Sequence, residues 1–281
     1  MNAARVKSIA LTRGASAAGI VAAGDIEEFA RFVTSVAAVP AGEAYLNRDI
    51  QRRKNITGWC ADAQSVLVCA FRYWEPGQDY DAALKRAGDL KEFLRATGRK
   101  VKQSPLLDAP GAKISRYALC RDYHLTVKER LAEILADIQK EYPEAEGRAF
   151  CDTSAVMEKE LGRLAGLGFR GKNTLLLSPE LGSYFFIGGI ALNFALGADA
   201  PAEGSCGSCE ACIKACPVGA LKDGALDAGR CLAYWTTQSK EPIPADIAAK
   251  ASYSYGCDLC QEACPHNKKP GSIAPGFETL K

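Results

Sequence analysis

The cysteines are concentrated towards the C-terminal end of the chain, and their spacing suits metal ligation. Eight of the twelve cysteines follow residue 205. The first group, CGSCEACIKACP, begins at Cys206 and has the spacing C-x2-C-x2-C-x3-C-P. The second group, CDLCQEACP, begins at Cys257 and keeps the later half of that pattern, with Cys231 upstream. Two four-iron clusters need eight thiolates. The sequence therefore predicts two [4Fe–4S] clusters and a role in electron transfer.

The spacing also predicts which cysteines share a cluster. In bacterial ferredoxins with this run, three closely spaced cysteines bind one cluster, and the cysteine before proline binds the other. The predicted ligands of the first cluster are Cys206, Cys209, Cys212 and Cys264. Those of the second are Cys216, Cys231, Cys257 and Cys260.

Two other uses of cysteine fit this chain less well. Zinc ribbons take four ligands in C-x2-C pairs, and no zinc motif accounts for three cysteines followed by x3-Cys-Pro. Disulfide scaffolds are typical of short secreted chains. At 281 residues this chain is long, and its first 30 residues carry only a faint likeness to an export signal.

The bulk properties indicate an ordinary globular protein. Hydrophobic residues make up 48% and charged residues 24%, with a net charge of +2, so the overall balance demands no nucleic acid or anionic membrane. There is no run of 18 apolar residues that would span a membrane. Twin arginines of the kind found in one class of export signal do not precede the first apolar stretch. We expect a cytoplasmic protein.

Hydrophobic periodicity predicts a mixed α/β domain over residues 1–200, followed by a cluster-binding domain and tail over residues 201–281. Apolar runs predict strands at 18–23, 65–73, 147–152, 173–177 and 183–193. Apolar residues spaced by three and four predict helices at 84–97 and 123–141. The segment 196–204, LGADAPAEG, is rich in Pro, Gly and Ala and is the predicted boundary.

The electron acceptor has no familiar fingerprint. No Rossmann glycine motif is present, and the glycine-dense turn AGLGFRGK at residues 165–172 fits neither a dinucleotide loop nor a Walker loop. Haem is disfavoured because the chain has two histidines and no CxxCH sequence.

Several long segments resemble the epoxyqueuosine reductase family. They are SRYALCRDYHLTVKERL, CDTSAVMEKELGRLAGLGFRGKNTLLLSPELGSYFFIGGI, CGSCEACIKACP, RCLAYWTTQ and YGCDLCQEACPHN. They occur in the family's order between about residues 114 and 267. Such a series is much more specific than a single ferredoxin signature.

The resemblance implies an α+β fold in which a nitroreductase-like α/β domain, binding base-off cobalamin and substrate, is fused to a ferredoxin-like module with two [4Fe–4S] clusters. It implies reduction of epoxyqueuosine to queuosine in tRNA, with electrons passing from the clusters to cob(I)alamin. The implied partners are the tRNA anticodon loop and an external low-potential donor such as a flavodoxin or ferredoxin. We expect a monomer. Small basic spots at residues 100–102 and 266–269 are candidate phosphate contacts.

The resemblance also implies roles for individual residues. Asp152 falls where the family places its proton donor. The residues implied to contact cobalamin or substrate are Lys172, Asn173, Leu176, Ile187 and Gln238, with Tyr117, Tyr123 and Arg72 as weaker candidates.

Asp152 and His124 each have a second interpretation. A carboxylic acid in apolar surroundings can keep its proton near neutral pH and deliver it to an alkoxide. Asp152 or Thr153 would alternatively cap a helix over the following Ala-Val-Met-Glu-Lys-Glu-Leu. Asp122-Tyr-His124 begins like the DxH motif of cobalt-ligating proteins but lacks the glycine that should follow, which favours a packed or surface histidine.

The chain departs from the family pattern in ways that keep other functions open. It ends soon after Pro265, where many family members continue into HEAT-like repeats. Lys159 and Arg170 stand where arginine and an apolar residue are common. The alternatives are a cobalamin-dependent reductase of a small molecule such as an organohalide, and an electron carrier that reduces a corrinoid partner.

Overall fold

A computed structural model of the protein describes residues 2–37, 49–99, 105–109, 111–222 and 224–280. Its strands are β1 (Ala17–Ala22), β2 (Ser65–Arg72), β3 (Gly147–Phe150), β4 (Phe169–Arg170), β5 (Leu176–Leu177), β6 (Phe185–Leu192), β7 (Leu221–Lys222) and β8 (Ala225–Leu226). Its α-helices are α1 (Ala3–Thr12), α2 (Phe29–Ala37), α3 (Tyr80–Ala87), α4 (Leu90–Ala96), α5 (Tyr123–Glu141), α6 (Glu158–Leu164), α7 (Ala211–Ala215), α8 (Leu232–Thr237), α9 (Ala245–Ala248) and α10 (Leu259–Glu262). The basic spot predicted at residues 100–102 lies outside the described residues.

A four-stranded antiparallel sheet with the order β1-β2-β6-β3 forms the centre of the large domain. Every residue of β2 is buried, which explains its unbroken apolar sequence, because helices cover both faces of the sheet. Alternate residues point to opposite faces. Leu67 packs with α1 and α5, whereas Val66 packs with α6. These layers confirm the predicted mixed fold.

The helix α5 supports the candidate site and has the predicted bounds. Its buried residues Val127, Leu131, Ile134 and Ile138 follow the spacing of one helical face. The Asp122 carboxylate caps the N-terminus by accepting the His124 backbone N–H at 2.9 Å. This cap places His124 in the first turn, at the edge of the sheet.

Two predicted elements differ from the structure. The helix predicted at 84–97 is broken into α3 and α4, because Gly88 has a φ of 63° and Asp89 caps the second helix. The strand predicted at 173–177 shortens to β5, since Thr174 has a φ of 64° and turns the chain.

The cysteine-rich module contains little regular structure. Its small apolar core consists of Val218, Ala220, Leu232, Ile247 and Tyr253, and three cysteines pack against it. Of the other cysteines, Cys212 lies on α7 and Cys260 on α10. A division into two domains at residue 200 stays a prediction, because the tail after this module returns to the large domain.

The tail is fastened to β2 through Arg72. This side chain is 1% exposed, and its guanidinium donates to the carbonyl oxygens of Trp74, Lys269 and Pro270. The Ala274 N–H donates to the Arg72 carbonyl at 2.8 Å. Phe277 is fully buried beside Phe71 and Phe186. The last described residues are thus part of the large hydrophobic core.

Asp258 joins the cysteine module to the large domain. Its carboxylate has no exposed surface and accepts hydrogen bonds from the Ser115 hydroxyl and from the Arg116 N–H at 2.7 Å. It also pairs with the Arg116 guanidinium at 3.2 Å. Burial raises the pKa of Asp258 in spite of these partners.

Replacing Asp258 by alanine should therefore destabilise the protein by about 3 kcal/mol, because it leaves buried donors and a partly buried arginine without their acceptor. We expect a lower unfolding midpoint of the anaerobically reconstituted protein. Asp246→Ala, at an exposed position in the same module, is the matched control and should cost less than about 1 kcal/mol. Equal effects of the two substitutions would contradict this role.

None of the helices in the described part of the chain is both long and apolar enough to span a membrane.

Candidate active site and cysteine clusters

Asp152 lies on a tight turn directly after β3. Its φ is 57°, a conformation that aspartate and asparagine tolerate better than most residues. Its backbone N–H donates to the Glu158 carboxylate, which reaches back from the first turn of α6. The turn leaves 54% of the Asp152 side-chain surface accessible. We call the accessible space beside Asp152, His124 and Lys159 the recess.

A chain of polar groups leads from Asp152 to α5. The Asp152 Oδ2 lies 3.0 Å from His124 Nε2, and His124 Nδ1 lies 2.8 Å from Asp122 Oδ1. The neighbouring Tyr123 ring stacks on Phe186, with 4.4 Å between ring centroids, and on the imidazole. The carboxylate at each end of this chain holds the imidazole in a fixed orientation.

These contacts determine where a proton resides. Burial opposes ionisation of Asp152, but hydrogen bonds from His124 and Tyr123 outweigh it and lower its pKa. Burial likewise opposes the charged imidazole, yet Asp152 and Asp122 together raise the pKa of His124. The structure therefore favours an ionised Asp152 beside a protonated His124.

The structure thus corrects the idea of an acid in apolar surroundings, because polar side chains contact Asp152. It also corrects the helix-cap interpretation. The helix α6 begins at Glu158, with Met157 at the N-cap position, so neither Asp152 nor Thr153 caps it.

Two further ionisable groups lie in the recess. Burial and the charge of Asp152 raise the pKa of Glu158 to about 8. Burial and the charge of Arg170 lower the pKa of Lys159, whose ammonium contacts the Thr174 carbonyl at 3.2 Å. Solvent reaches Asp152 and Lys159, so we infer that protein atoms crowd them from the remaining sides.

The four cysteines assigned to the first cluster line one pocket. The structure brings together Cys206, Cys209, Cys212 and Cys264, although Cys264 is remote in sequence. Lys172 and Asn173 line the same pocket, and the Lys172 backbone N–H points to Cys206 Sγ at 3.4 Å. Converging thiols with an amide donor fit a thiolate-ligated cluster.

The cysteines assigned to the second cluster also converge. Cys216, Cys231 and Cys257 pack on the small core of the module. Burial raises the pKa of the Cys257 thiol to about 12, with smaller contributions from Cys231 and Cys216. Cys260 lies within electrostatic range of Cys257 and Cys231, and also of Lys159. The thiols of the second group therefore lie close enough to act on one another electrostatically.

Among the described residues, no three or more His, Cys, Asp or Glu side chains are arranged to hold a single metal ion.

The other residues predicted to contact cobalamin or substrate lie in different parts of the structure. Leu176 and Ile187 lie together over Gly162, and Ile187 is the one residue of β6 that is not fully buried. Tyr117 lies edge-on to Tyr123 with 6.1 Å between ring centroids. Gln238 is exposed at the end of α8. Arg72 is not brought to the site, because its guanidinium binds the tail.

Sequence reasoning missed the roles of His124 and Glu158. The Asp122-Tyr-His124 motif was visible, but its partner Asp152 is 28 residues away in sequence. Glu158 was visible only as a helix residue. A search for acidic residues flanking a single histidine would have found the first contact.

Two protein-family models match the chain. One is described as "4Fe-4S double cluster binding domain" and matches residues 205–267. The other is described as "Epoxyqueuosine reductase QueG, DUF1730" and matches residues 53–153. The first confirms the predicted class of cofactor in the cysteine module.

Curated relatives cover different shares of the chain. An epoxyqueuosine reductase from Leadbetterella byssophila is 43% identical over 162 residues, which are 57% of this chain and 54% of the relative. One from a Synechocystis strain is 32% identical over 245 residues, covering 82% of this chain and 76% of the relative. The chain spans about half the length of the first curated relatives it matches.

Solved structures share the fold. An epoxyqueuosine reductase crystallised with an epoxyqueuosine-modified tRNA stem loop has a TM-score of 0.76 at 24% identity, covering 99% of this chain and 68% of that chain. A reductive dehalogenase interpreted in terms of B12-dependent dehalogenation has a TM-score of 0.54 at 18% identity, covering 94% and 32%. On the coverage of the Synechocystis relative and the matched family model, the chain belongs to the epoxyqueuosine reductase family.

Proposed function

We propose that the protein reduces the epoxide of epoxyqueuosine in tRNA, using two [4Fe–4S] clusters and a bound cobalamin. One observation carries this proposal. The hydrogen-bonded groups Asp122, His124 and Asp152 adjoin Glu158, and the next residue, Lys159, contacts the Thr174 carbonyl at 3.2 Å. Lys172 and Asn173, in the same turn as Thr174, line the pocket of the first cysteine group. An epoxide reductase needs electrons and protons at one place, and here their sources are neighbours.

The reaction defines what the protein must supply. Removal of an epoxide oxygen as water consumes two electrons and two protons and leaves a carbon–carbon double bond. Reduced cobalamin would supply a strong nucleophile to the epoxide carbon, and the clusters would supply low-potential electrons. The chain's own residues must protonate the departing oxygen.

We assign the first protonation to Asp152, with His124 as its proton store. The contact between His124 Nε2 and Asp152 Oδ2, at 3.0 Å, lets the proton pass between them. A cofactor over the recess would remove water from the accessible side of Asp152. Desolvation acts against the ionised carboxylate, so it would shift the proton from the imidazole towards Asp152 Oδ2 and the substrate oxygen. Glu158, whose pKa of about 8 keeps it largely protonated at neutral pH, is a candidate source of the second proton.

The residues around the recess suit a large, mostly apolar cofactor. Ile187, the part-buried residue of β6, packs with the buried Leu176 over Gly162, where a Cβ would lie only 2.5 Å from the Leu176 Cδ2. The Tyr123 ring, stacked on Phe186, supplies a rigid aromatic edge. We propose that these residues hold the corrin, that Gln238 contacts it from the cluster side, and that Tyr117 contacts it from the short turn before α5.

The partners are also proposals. The related reductase crystallised with a modified tRNA stem loop supports a tRNA substrate. The basic spot near His266 and Lys268 is a candidate phosphate contact. We propose an external flavodoxin or ferredoxin as electron donor, a monomeric state and a cytoplasmic location.

The direct test uses anaerobically reconstituted protein loaded with cobalamin, a strong chemical reductant and tRNA that carries epoxyqueuosine. Nucleoside mass spectrometry should show queuosine after digestion of the tRNA. Retention of cobalt by the protein after gel filtration tests cofactor binding separately. If cobalt is retained but no queuosine forms, the substrate assignment is wrong.

The rate of reduction should depend on pH. Because Asp152 and Asp122 raise the pKa of His124, the imidazolium persists above its ordinary pKa of about 6.5. The single-turnover rate should be highest below the raised pKa and fall as the pH rises through it, while loss of the Glu158 proton near pH 8 adds to the fall. Of the other groups near the imidazole, Tyr123 stays neutral across this window because burial raises its pKa, whereas burial and the charge of Arg170 lower the pKa of Lys159. A rate that is constant from about pH 6 to 9 would contradict the proton store.

A further inference from the structure

We propose that the side-chain amide of Asn173 donates a hydrogen bond to the cluster held by Cys206, Cys209, Cys212 and Cys264, and thereby raises its reduction potential. This role differs from the cobalamin contact that the family resemblance implies for Asn173. It depends on the cluster assignment and is independent of the identity of the final substrate.

The first observation is an unsatisfied donor. Asn173 is 4% exposed, and its Nδ2 is buried without a hydrogen-bond partner among the described residues. Leaving a buried amide unpaired costs about 1–3 kcal/mol, so such a group in a native protein indicates a partner that the polypeptide does not supply. Asn173 lines the pocket into which the four thiols converge.

The second observation fixes the direction of the amide. The Asn173 Oδ1 accepts the Leu175 backbone N–H at 3.2 Å. The amide oxygen is therefore already used as an acceptor within the turn. If the oxygen and nitrogen of the amide were exchanged, the Asn173 NH2 group would face the Leu175 N–H, and two donors would oppose each other. Consequently the NH2 group is the free end of the side chain.

The third observation is a neighbouring amide with the same target. The Lys172 backbone N–H points to Cys206 Sγ at 3.4 Å. Successive residues of the Gly171-Lys172-Asn173 turn thus direct donors at one cluster. Thr174, with its φ of 64°, closes this turn, and the Thr174 N–H donates to the Gly171 carbonyl at 2.9 Å.

Hydrogen bonds to the sulfurs of a cluster favour its reduced form, because reduction adds negative charge that the donors stabilise. Asn173 would therefore make this cluster easier to reduce than its ligands alone would. No cysteine assigned to the second cluster lines the pocket that Asn173 lines, and so the potential of the second cluster should be independent of Asn173.

The test is a redox titration of anaerobically reconstituted protein without cobalamin or tRNA, followed by EPR. Asn173→Ala should shift one of the two midpoint potentials to more negative values and leave the other unchanged. A tenfold fall in the reduced-to-oxidised ratio at a fixed potential corresponds to about 59 mV for a one-electron couple. Asn173→Asp keeps an oxygen for the Leu175 N–H but removes the donor, so it should shift the same potential in the same direction even if the alanine variant folds poorly.

Asn267 provides the matched control. It is also a buried asparagine, three residues after Cys264, but its amide nitrogen already binds Ser183 Oγ at 2.9 Å and the Gln261 carbonyl at 2.7 Å. Asn267→Ala should lower the unfolding midpoint without a selective shift in potential. Unchanged potentials in both Asn173 variants, or equal shifts of both clusters, would overturn the proposal. Failure of epoxyqueuosine reduction would not bear on it.

Discussion

Replacing Asp152 by asparagine should reduce the single-turnover rate of epoxyqueuosine reduction by about 10²–10⁴-fold, the usual contribution of a positioned acid or base. Asparagine keeps the shape of the side chain and tolerates the φ of 57° that this turn requires. It cannot carry a proton between His124 and the substrate oxygen. The measurement is queuosine formed per enzyme under anaerobic, pre-reduced conditions.

The controls separate chemistry from folding. Asp152→Asn should retain its iron, its cobalt and both midpoint potentials, because the hydrogen-bond partners of Asp152 are His124, Tyr123 and Glu158 and not a cysteine assigned to either cluster. Asp62→Asn, at an exposed position before β2, should react at the unsubstituted rate. If Asp152→Asn turned over normally, the proton would have to come from another group, and Glu158 would be the next residue to replace.

Replacing a single cysteine by serine should remove one of the two clusters. Because each cluster is predicted to take ligands from both cysteine motifs, the cluster that is lost should not simply follow the motif to which the cysteine belongs. We expect Cys264→Ser to match Cys206→Ser, although Cys264 belongs to the second motif. We expect Cys216→Ser to match Cys257→Ser, although Cys216 belongs to the first. Each variant should fall from about eight to about four irons per chain, a large effect because a cubane with three ligands is readily lost.

The informative measurement is the EPR spectrum and midpoint potential of the surviving cluster. Variants that remove the same cluster should leave the same signal. The convergence of Cys264 with the first three cysteines supports this pattern. If Cys264→Ser matched Cys260→Ser instead, each motif would bind its own cluster and the crossed assignment would be wrong.

The sequence predicted regular elements well where local signals agreed. The bounds of α5 followed from its apolar spacing, and the structure adds Asp122 as its N-cap. The apolar run at 65–73 correctly predicted β2. A strand that is buried on both faces has a continuous apolar sequence instead of alternating apolar and polar residues. The single helix predicted at 84–97 was wrong. Its apolar spacing continues across Gly88 and Asp89, but Gly88 ends one helix and Asp89 begins the next.

The cysteine ligands of the clusters could be predicted from the sequence, whereas the protonation states of the side chains around Asp152 could be predicted less well. Cysteine spacing is a local property, and the pattern of thiolates around a cluster constrains it strongly. The protonation state of Asp152 depends on His124, and the packing of α5 against β6 places His124 beside it. An orphaned amide such as that of Asn173 is likewise visible only once all possible partners are placed.

The fastening of the tail by Arg72 has a mechanical consequence. The cysteine-rich segment is anchored on both sides, since the Ala202 N–H donates to the Arg163 carbonyl before it and Arg72 binds the carbonyls of Lys269 and Pro270 after it. A segment that is attached at one end can swing about its linker. The cysteine-rich segment is attached at both ends and is also held between them by the Asp258–Arg116 ion pair, so it has no hinge. In the reaction that we propose, the distance from a cysteine group to the recess would therefore be set when the chain folds, and no docking motion would have to precede each turnover.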